Sequence, residues 1–231
     1  MKVAAAIPDY LLPDPLSVLR AGWANRTLLE RSATVTAAET VLGLLIGTGL
    51  GAGFALSMVF SRSVERWLMP VLILSQAIPV FALAPLLVLW LGFGMASKVA
   101  MAVLVIFFPV AASLADGLRR TEPGWLDLSR TMGAGPGATL LRIRLPAAMP
   151  SFGNGLRVAT AIAPIGAVVG EWVGASSGLG YVMLNANARI RTDLMFAALL
   201  VLAVMTVGLW TAVDRALRRL LYWAPDTTTP S

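Results

Sequence analysis

The sequence predicts an all-α fold, a polytopic transmembrane helical bundle, and three observations lead there. Of its 231 residues 58% are hydrophobic and 13% charged, against roughly a quarter charged in an ordinary soluble domain, so the chain cannot cover itself with polar surface. Its apolar residues come in runs of the length a bilayer demands, about 20 per helix. Lys and Arg fall between those runs, as membrane topology arranges them.

Taken in order, Met1 to Ile7 is too short for the apolar region of a signal peptide, and nothing marks the chain for cleavage or secretion. Residues 1–34 read as a periplasmic, interfacial segment. Asp14 before Pro15 pairs an N-cap residue with a proline at the first helical position, which predicts a short helix from Pro15 to Arg31. Leu16, Leu19, Trp23 and Leu28 can share one face of it, with Arg20, Arg26 and Arg31 elsewhere; this suits a helix lying at the interface, and an amphipathic linker equally.

Five spans follow, near residues 35–60, 68–91, 99–115, 156–173 and 194–213. The first holds Gly43, Gly47 and Gly51 in one small-residue series and Gly49 with Gly53 in a second, faces that let another helix backbone approach closely. The second holds Pro70, Pro79 and Pro85, each of which removes a backbone hydrogen bond. It should be kinked or broken and face the bundle interior, where freed carbonyls find partners. Pro109 lies in the third run. The long polar stretch 116–150 separates it from the fourth, and a loop with a semi-polar segment, Tyr181 to Ile190, precedes the fifth. The whole reads as a transmembrane domain over 35–223 with a tail, 224–231.

Eleven Lys and Arg lie on the side of the 116–150 stretch and the C-terminus, and seven on the other. The positive-inside rule therefore puts that stretch and the C-terminus in the cytoplasm and the N-terminus outside. The net charge of +6 is scattered between apolar runs and forms no continuous basic face for nucleic acid. Without Cys or His, thiol nucleophiles, imidazole bases, disulfides and most zinc sites are excluded. Lysine occurs only at 2 and 98, so no GxxxxGK[ST] phosphate loop exists here. No pair of carboxylates at helix spacing suggests a proton relay or metal site, which leaves Glu171 as the acid at membrane depth, a position that costs about 2.5–3.5 kcal/mol. It is expected to reach headgroup depth, to pair with Arg189 or Arg191, or to line a pathway that Pro164 and the neighbouring glycines help to open.

Within the polar stretch, Asp127-Leu128-Ser129 is followed after three residues by Gly133 and after nine more by Ile143-Arg144-Leu145-Pro146. Gly133 permits a backbone turn that a residue with Cβ resists, so helices over Trp125 to Met132 and Pro136 to Arg142 can fold back on each other. Pro146 is expected to end that element. The product is a compact knob able to seat in a groove of another protein.

This pattern resembles the signature of ABC-importer permeases, E-A-A, three residues, G, nine residues, I-x-L-P, with Asp127 in place of Glu and Leu128 and Ser129 in place of the alanines. The resemblance covers residues 7–223. Ala77-Ile78-Pro79, Ala84-Pro85-Leu86, Gly155-Leu156-Arg157, and Glu171 with Gly178-Leu179-Gly180 are similar to the nitrate, sulfonate and taurine branch. The run from Ala163-Pro164 to Glu171-Trp172 looks closer still to permeases for hydroxymethylpyrimidine, a thiamine precursor. Such permeases usually have six spans, and the match begins after where the first would end.

The resemblance implies a multi-pass protein of the bacterial inner membrane that dimerises around a pathway lined in part by Pro79, Pro85, Pro164 and Glu171. It implies a cytoplasmic ATPase seated on the loop of Asp127, Gly133, Ile143, Leu145 and Pro146, and a periplasmic substrate-binding protein outside. No cofactor is expected in this chain and no catalysis; ATP is bound and hydrolysed on the partner. A secondary transporter or channel would normally show inverted repeats or several intramembrane charges. A membrane-embedded enzyme has neither His nor Cys to work with.

Overall fold

The computed structural model describes residues 12–60 and 62–224; the start from Met1 to Ile7 and the tail 225–231 lie outside the described residues. The chain is helical almost throughout. In order come α1 (Pro15–Ala24), α2 (Arg26–Phe60), α3 (Arg62–Ala77), α4 (Val80–Leu91), α5 (Met95–Arg119), α6 (Pro123–Thr131), α7 (Pro136–Thr139), a π turn (Leu140–Arg144), α8 (Leu145–Gly174), α9 (Leu179–Ala188) and α10 (Thr192–Leu220).

Four stretches are long and apolar enough to cross a membrane: α2, α5, the continuous path Pro136–Gly174 that includes α8, and α10. A fifth exists only as a pair, α3 and α4, which meet at 98°. The expected proline break is there, and it falls at one of the three prolines. Pro79 has no N–H to donate and disfavours helical backbone at Ile78; it ends the first segment and its carbonyl accepts from Ala82 N–H at 2.9 Å to start the second. Pro70 and Pro85 sit inside α3 and α4.

The helices outrun the apolar stretches that predict them. At 1.5 Å per residue, the 35 residues of α2 and the 29 of α10 exceed the ~30 Å hydrocarbon core. Their polar ends stay helical beyond it. The helix expected over Pro15 to Arg31 stops instead at Ala24, with Asn25 as its C-cap, and α2 restarts at Arg26. Asp14 caps α1 as expected, its Oδ2 accepting from Leu16 N–H at 3.2 Å. Leu16, Leu19, Trp23 and Leu28 are exposed, while Val18 and Leu29 are buried with residues of α9 and α10. The semi-polar segment taken as loop is largely helix α9.

The centre of the bundle is α5, flanked by α2 and α8. In lipid no hydrophobic effect drives helices together, so close backbone approach does the work. Gly43, Gly47 and Gly51 of α2 take Ala102, Ile106 and Val110 of α5 against them, and a Cβ at Gly47 would lie 2.9 Å from Ile106 Cγ2. The second series expected in this helix is not a packing face here: Cβ atoms at Gly49 and Gly53 would meet nothing within 4 Å. From α8, Gly155 and Gly166 press on α5 in the same way.

Candidate functional site

At one end of the bundle the polar stretch folds into a knob. Pro123 occupies the first turn of α6, where its missing N–H costs nothing. Past Thr131 the chain reverses through Gly133 at φ 71°. Gly133 N–H donates to Arg130 O at 3.0 Å and Ala134 N–H to Ser129 O at 2.9 Å, the paired bonds of a Schellman motif with glycine in the left-handed position. Ser129 Oγ lies 3.2 Å from Thr139 Oγ1, tying α6 to α7.

The outward side of this knob is apolar. Trp125 is 52% exposed and Met132 78%, with Leu128 between them, and Asp127 pairs with Arg130 at 2.9 Å in solvent. Arg144 reaches back to the body, its guanidinium donating to Leu118 O at 2.9 Å. The expectation that Pro146 ends this element is overturned. Leu145 N–H bonds Leu140 O across the π turn, and Pro146 then stands in the first turn of α8, a position that tolerates proline, so helix continues from Pro136 to Gly174.

Toward the other end a polar cluster is buried between α2, α5, α8 and the start of α9. Glu171 is 1% exposed. Its Oε1 accepts from Thr36 Oγ1 at 2.6 Å, and its Oε2 accepts from Gly180 N–H and, at 3.4 Å, Tyr181 N–H. Thr36 Oγ1 in turn accepts from Leu179 N–H at 2.8 Å. Glu171 and Thr36 thus receive the first free amides of α9, where the helix dipole favours negative charge. Gly178, at φ 110°, lies against the Glu171 carboxylate, leaving no room for a Cβ.

Two further charges join this cluster. Glu39 is also 1% exposed; its Oε1 is 3.7 Å from Lys98 Nζ, it lies within electrostatic reach of Glu171, and its Oε2 is buried without a hydrogen-bond partner. Glu171 is therefore not a lone buried acid: Glu39 of α2 lies beside it. Neither of the arginines expected to partner it takes that place: a hydroxyl, a helix N-terminus and the Lys98–Glu39 pair do.

Of the residues singled out as pathway candidates, the structure does not bring Glu171 together with Pro79, exposed at the N-cap of α4, or Pro85, exposed within it, while Pro164 is buried within α8. Thr36, Glu39 and Lys98 were missed. A signal for the two on α2 was present, since Ser32, Thr36, Glu39 and Thr40 continue the stripe of Gly43, Gly47 and Gly51 at helical spacing; Lys98, on α5, had none. Near α6 the missed residues are Trp125 and Met132, large apolar side chains in a polar stretch. Among the described residues no group of three or more Asp or Glu gathers to hold a metal ion.

A family model described as "Binding-protein-dependent transport system inner membrane component" matches residues 43–221. The chain is 52% identical over 217 residues to a probable ABC transporter permease protein of Haemophilus influenzae, covering 94% of this chain and 89% of that one. It is 38% identical over 215 residues to the formylaminopyrimidine transport permease protein ThiX of Halalkalibacterium halodurans, covering 93% and 86%. Among solved structures, the MetNI methionine ABC transporter in an inward-facing conformation matches with a TM-score of 0.68 at 19% identity, covering 86% of this chain and 96% of that one. At that identity the likeness is one of fold.

Proposed function

From the premise that this chain belongs to the binding-protein-dependent transport system inner membrane components, as a multi-pass permease subunit of an ABC importer, we propose that two copies enclose a pathway for a pyrimidine precursor of thiamine. Residues 35–223 form the translocation unit. The knob of Asp127, Gly133, Ile143, Leu145 and Pro146, within the cytoplasmic loop 116–150, seats in a groove of a separate ATPase, which binds and hydrolyses ATP. A periplasmic binding protein delivers the solute from outside. Alternation between inward- and outward-facing states follows the ATPase cycle as a rigid-body movement of packed helices, and Pro79, Pro85, Pro164 and Glu171 border the path.

The observation that carries the coupling role is the exposed apolar side of α6, Trp125, Leu128 and Met132, set on a Schellman turn. Such side chains in a polar loop gain from burial in a partner. The substrate class rests on the likeness to the formylaminopyrimidine permease. Co-expression with an ABC ATPase and a binding protein from the same genome, followed by uptake of labelled hydroxymethylpyrimidine into vesicles, tests both parts. ATP-dependent accumulation is the expected result. Accumulation of taurine, another sulfonate or nitrate in its place overturns the substrate alone, and failure of the ATPase to co-purify overturns the coupling role.

A further inference from the structure

A groove outside the knob and the buried cluster has the chemistry of a lipid site. It is an open trough of about 560 Å³ between α3 and the nearby end of α5, lined by Glu65, Arg66, Met69, Pro70, Ile73 and Arg119. Residues 66, 69, 70 and 73 fall on one face of α3. That face is graded: the guanidinium of Arg66 comes first, and apolar side chains follow to Ile73, about 10 Å further along the axis. Behind it a more enclosed cavity of about 270 Å³ shares Glu65 and Arg119 and adds Arg144.

The charges there do not balance. Arg119 pairs with Glu65 at 2.6 Å, which answers one of three guanidinium groups. Arg66 makes no ion pair among the described residues. Arg144 gives one nitrogen to Leu118 O, while its Nε is buried with no acceptor. At the head of the apolar track the Arg119–Glu65 pair and Arg66 therefore leave one positive charge in excess, with Arg144 behind them. A small soluble anion would meet the charges and leave Met69, Pro70 and Ile73 unused.

We propose that this groove binds one anionic phospholipid of the bilayer, its phosphodiester held by Arg66 and Arg119 and an acyl chain lying along Met69, Pro70 and Ile73. Basic pockets between transmembrane helices at the membrane edge take such headgroups. Only the leaflet, cytoplasmic, depends on the orientation proposed above; the binding does not.

Native mass spectrometry of the purified full-length chain in its transporter complex, titrated with phosphatidylglycerol or phosphatidylcholine, reads the number and strength of bound lipids. One phosphatidylglycerol per chain should be retained about fivefold better than phosphatidylcholine, since the groove carries one positive charge in excess at the membrane surface. Arg66→Gln should weaken that retention about fivefold, Ile73→Asn should weaken it as well, and Arg215→Gln, on the exposed side of α10, should leave it unchanged. Equal retention of phosphatidylcholine, displacement by millimolar inorganic phosphate, or an equal loss in Arg215→Gln would each overturn the proposal. The readout counts lipids and needs no transport, so it stands or falls apart from the substrate assignment.

Discussion

Replacing Glu171 by leucine and by glutamine separates the two things this carboxylate supplies, an acceptor and a charge. Leucine removes the acceptor for Gly180 N–H, a buried donor whose orphaning costs about 1–3 kcal/mol, and the anion at the start of α9, worth about 1 kcal/mol. The total, about 2–4 kcal/mol, should appear locally as faster opening of α9. Each 1.4 kcal/mol is tenfold, so amide exchange across residues 179–188 should rise roughly 30- to 700-fold. Glutamine can turn its carbonyl to Gly180 and its amide to Thr36 Oγ1, because that hydroxyl can redirect its own hydrogen to Ser32 O, 3.1 Å away. It should therefore cost about 1 kcal/mol, the charge alone, and raise exchange about fivefold. Hydrogen exchange followed by mass spectrometry in detergent makes the comparison. Leucine exchange within threefold of wild type, or glutamine as damaging as leucine, would refute the account of α9 as held through Glu171.

Because Glu171→Gln keeps the local fold, it is also the clean probe of the pathway: uptake should fall at unchanged expression and ATPase binding, and wild-type uptake across substrate concentrations would remove the charge from the path. Gly47→Ala should cost about 1–3 kcal/mol by overpacking against Ile106, whereas Gly49→Ala, facing open space, should stay within about 0.5 kcal/mol; thermal unfolding in detergent ranks them, and equal melting would undo the assigned seam. Gly133→Val should insert and fold yet lose the ATPase in a pull-down, since a β-branched residue resists φ 71°. Gly133→Asn should keep more of it, and intact capture by the valine variant would make the knob a mere connector.

Much of the bundle was legible because run length and proline leave strong marks. The apolar runs located every long helix, and Pro70, Pro79 and Pro85 together marked the broken one without telling which of them breaks it. The ends were not legible, since hydropathy falls where hydrocarbon stops and hydrogen bonding does not: α2 begins nine residues before its apolar run. Spacing alone cannot separate the Gly43 series from the Gly49 series, which lie on different sides of one helix, and only α5 distinguishes them. At the knob, glycine and its flanking prolines forecast the turn, but Pro146 misled, because the same residue can end one helix or begin another. Glu39 lies near the start of an apolar run and Lys98 just before one, and neither position by itself signals a partner. Their meeting depends on α2 and α5 lying side by side, which no local pattern encodes.

The unbroken helical path from Pro136 to Gly174 makes the two ends of this protein a single mechanical part. Its 39 residues, about 58 Å at 1.5 Å per residue, begin beside the knob and finish three residues past Glu171. Its weak points are the π turn and the prolines at 150 and 164, where a rod flexes. It is seated against α5 along most of its length, from Ala148 to Gly170, so a tilt imposed at Pro136 would carry α5 and Glu171 with it. No relay of side chains is required for events at one membrane face to be felt at the other, and stiffening or loosening Pro150 and Pro164 would change how far the outer end swings.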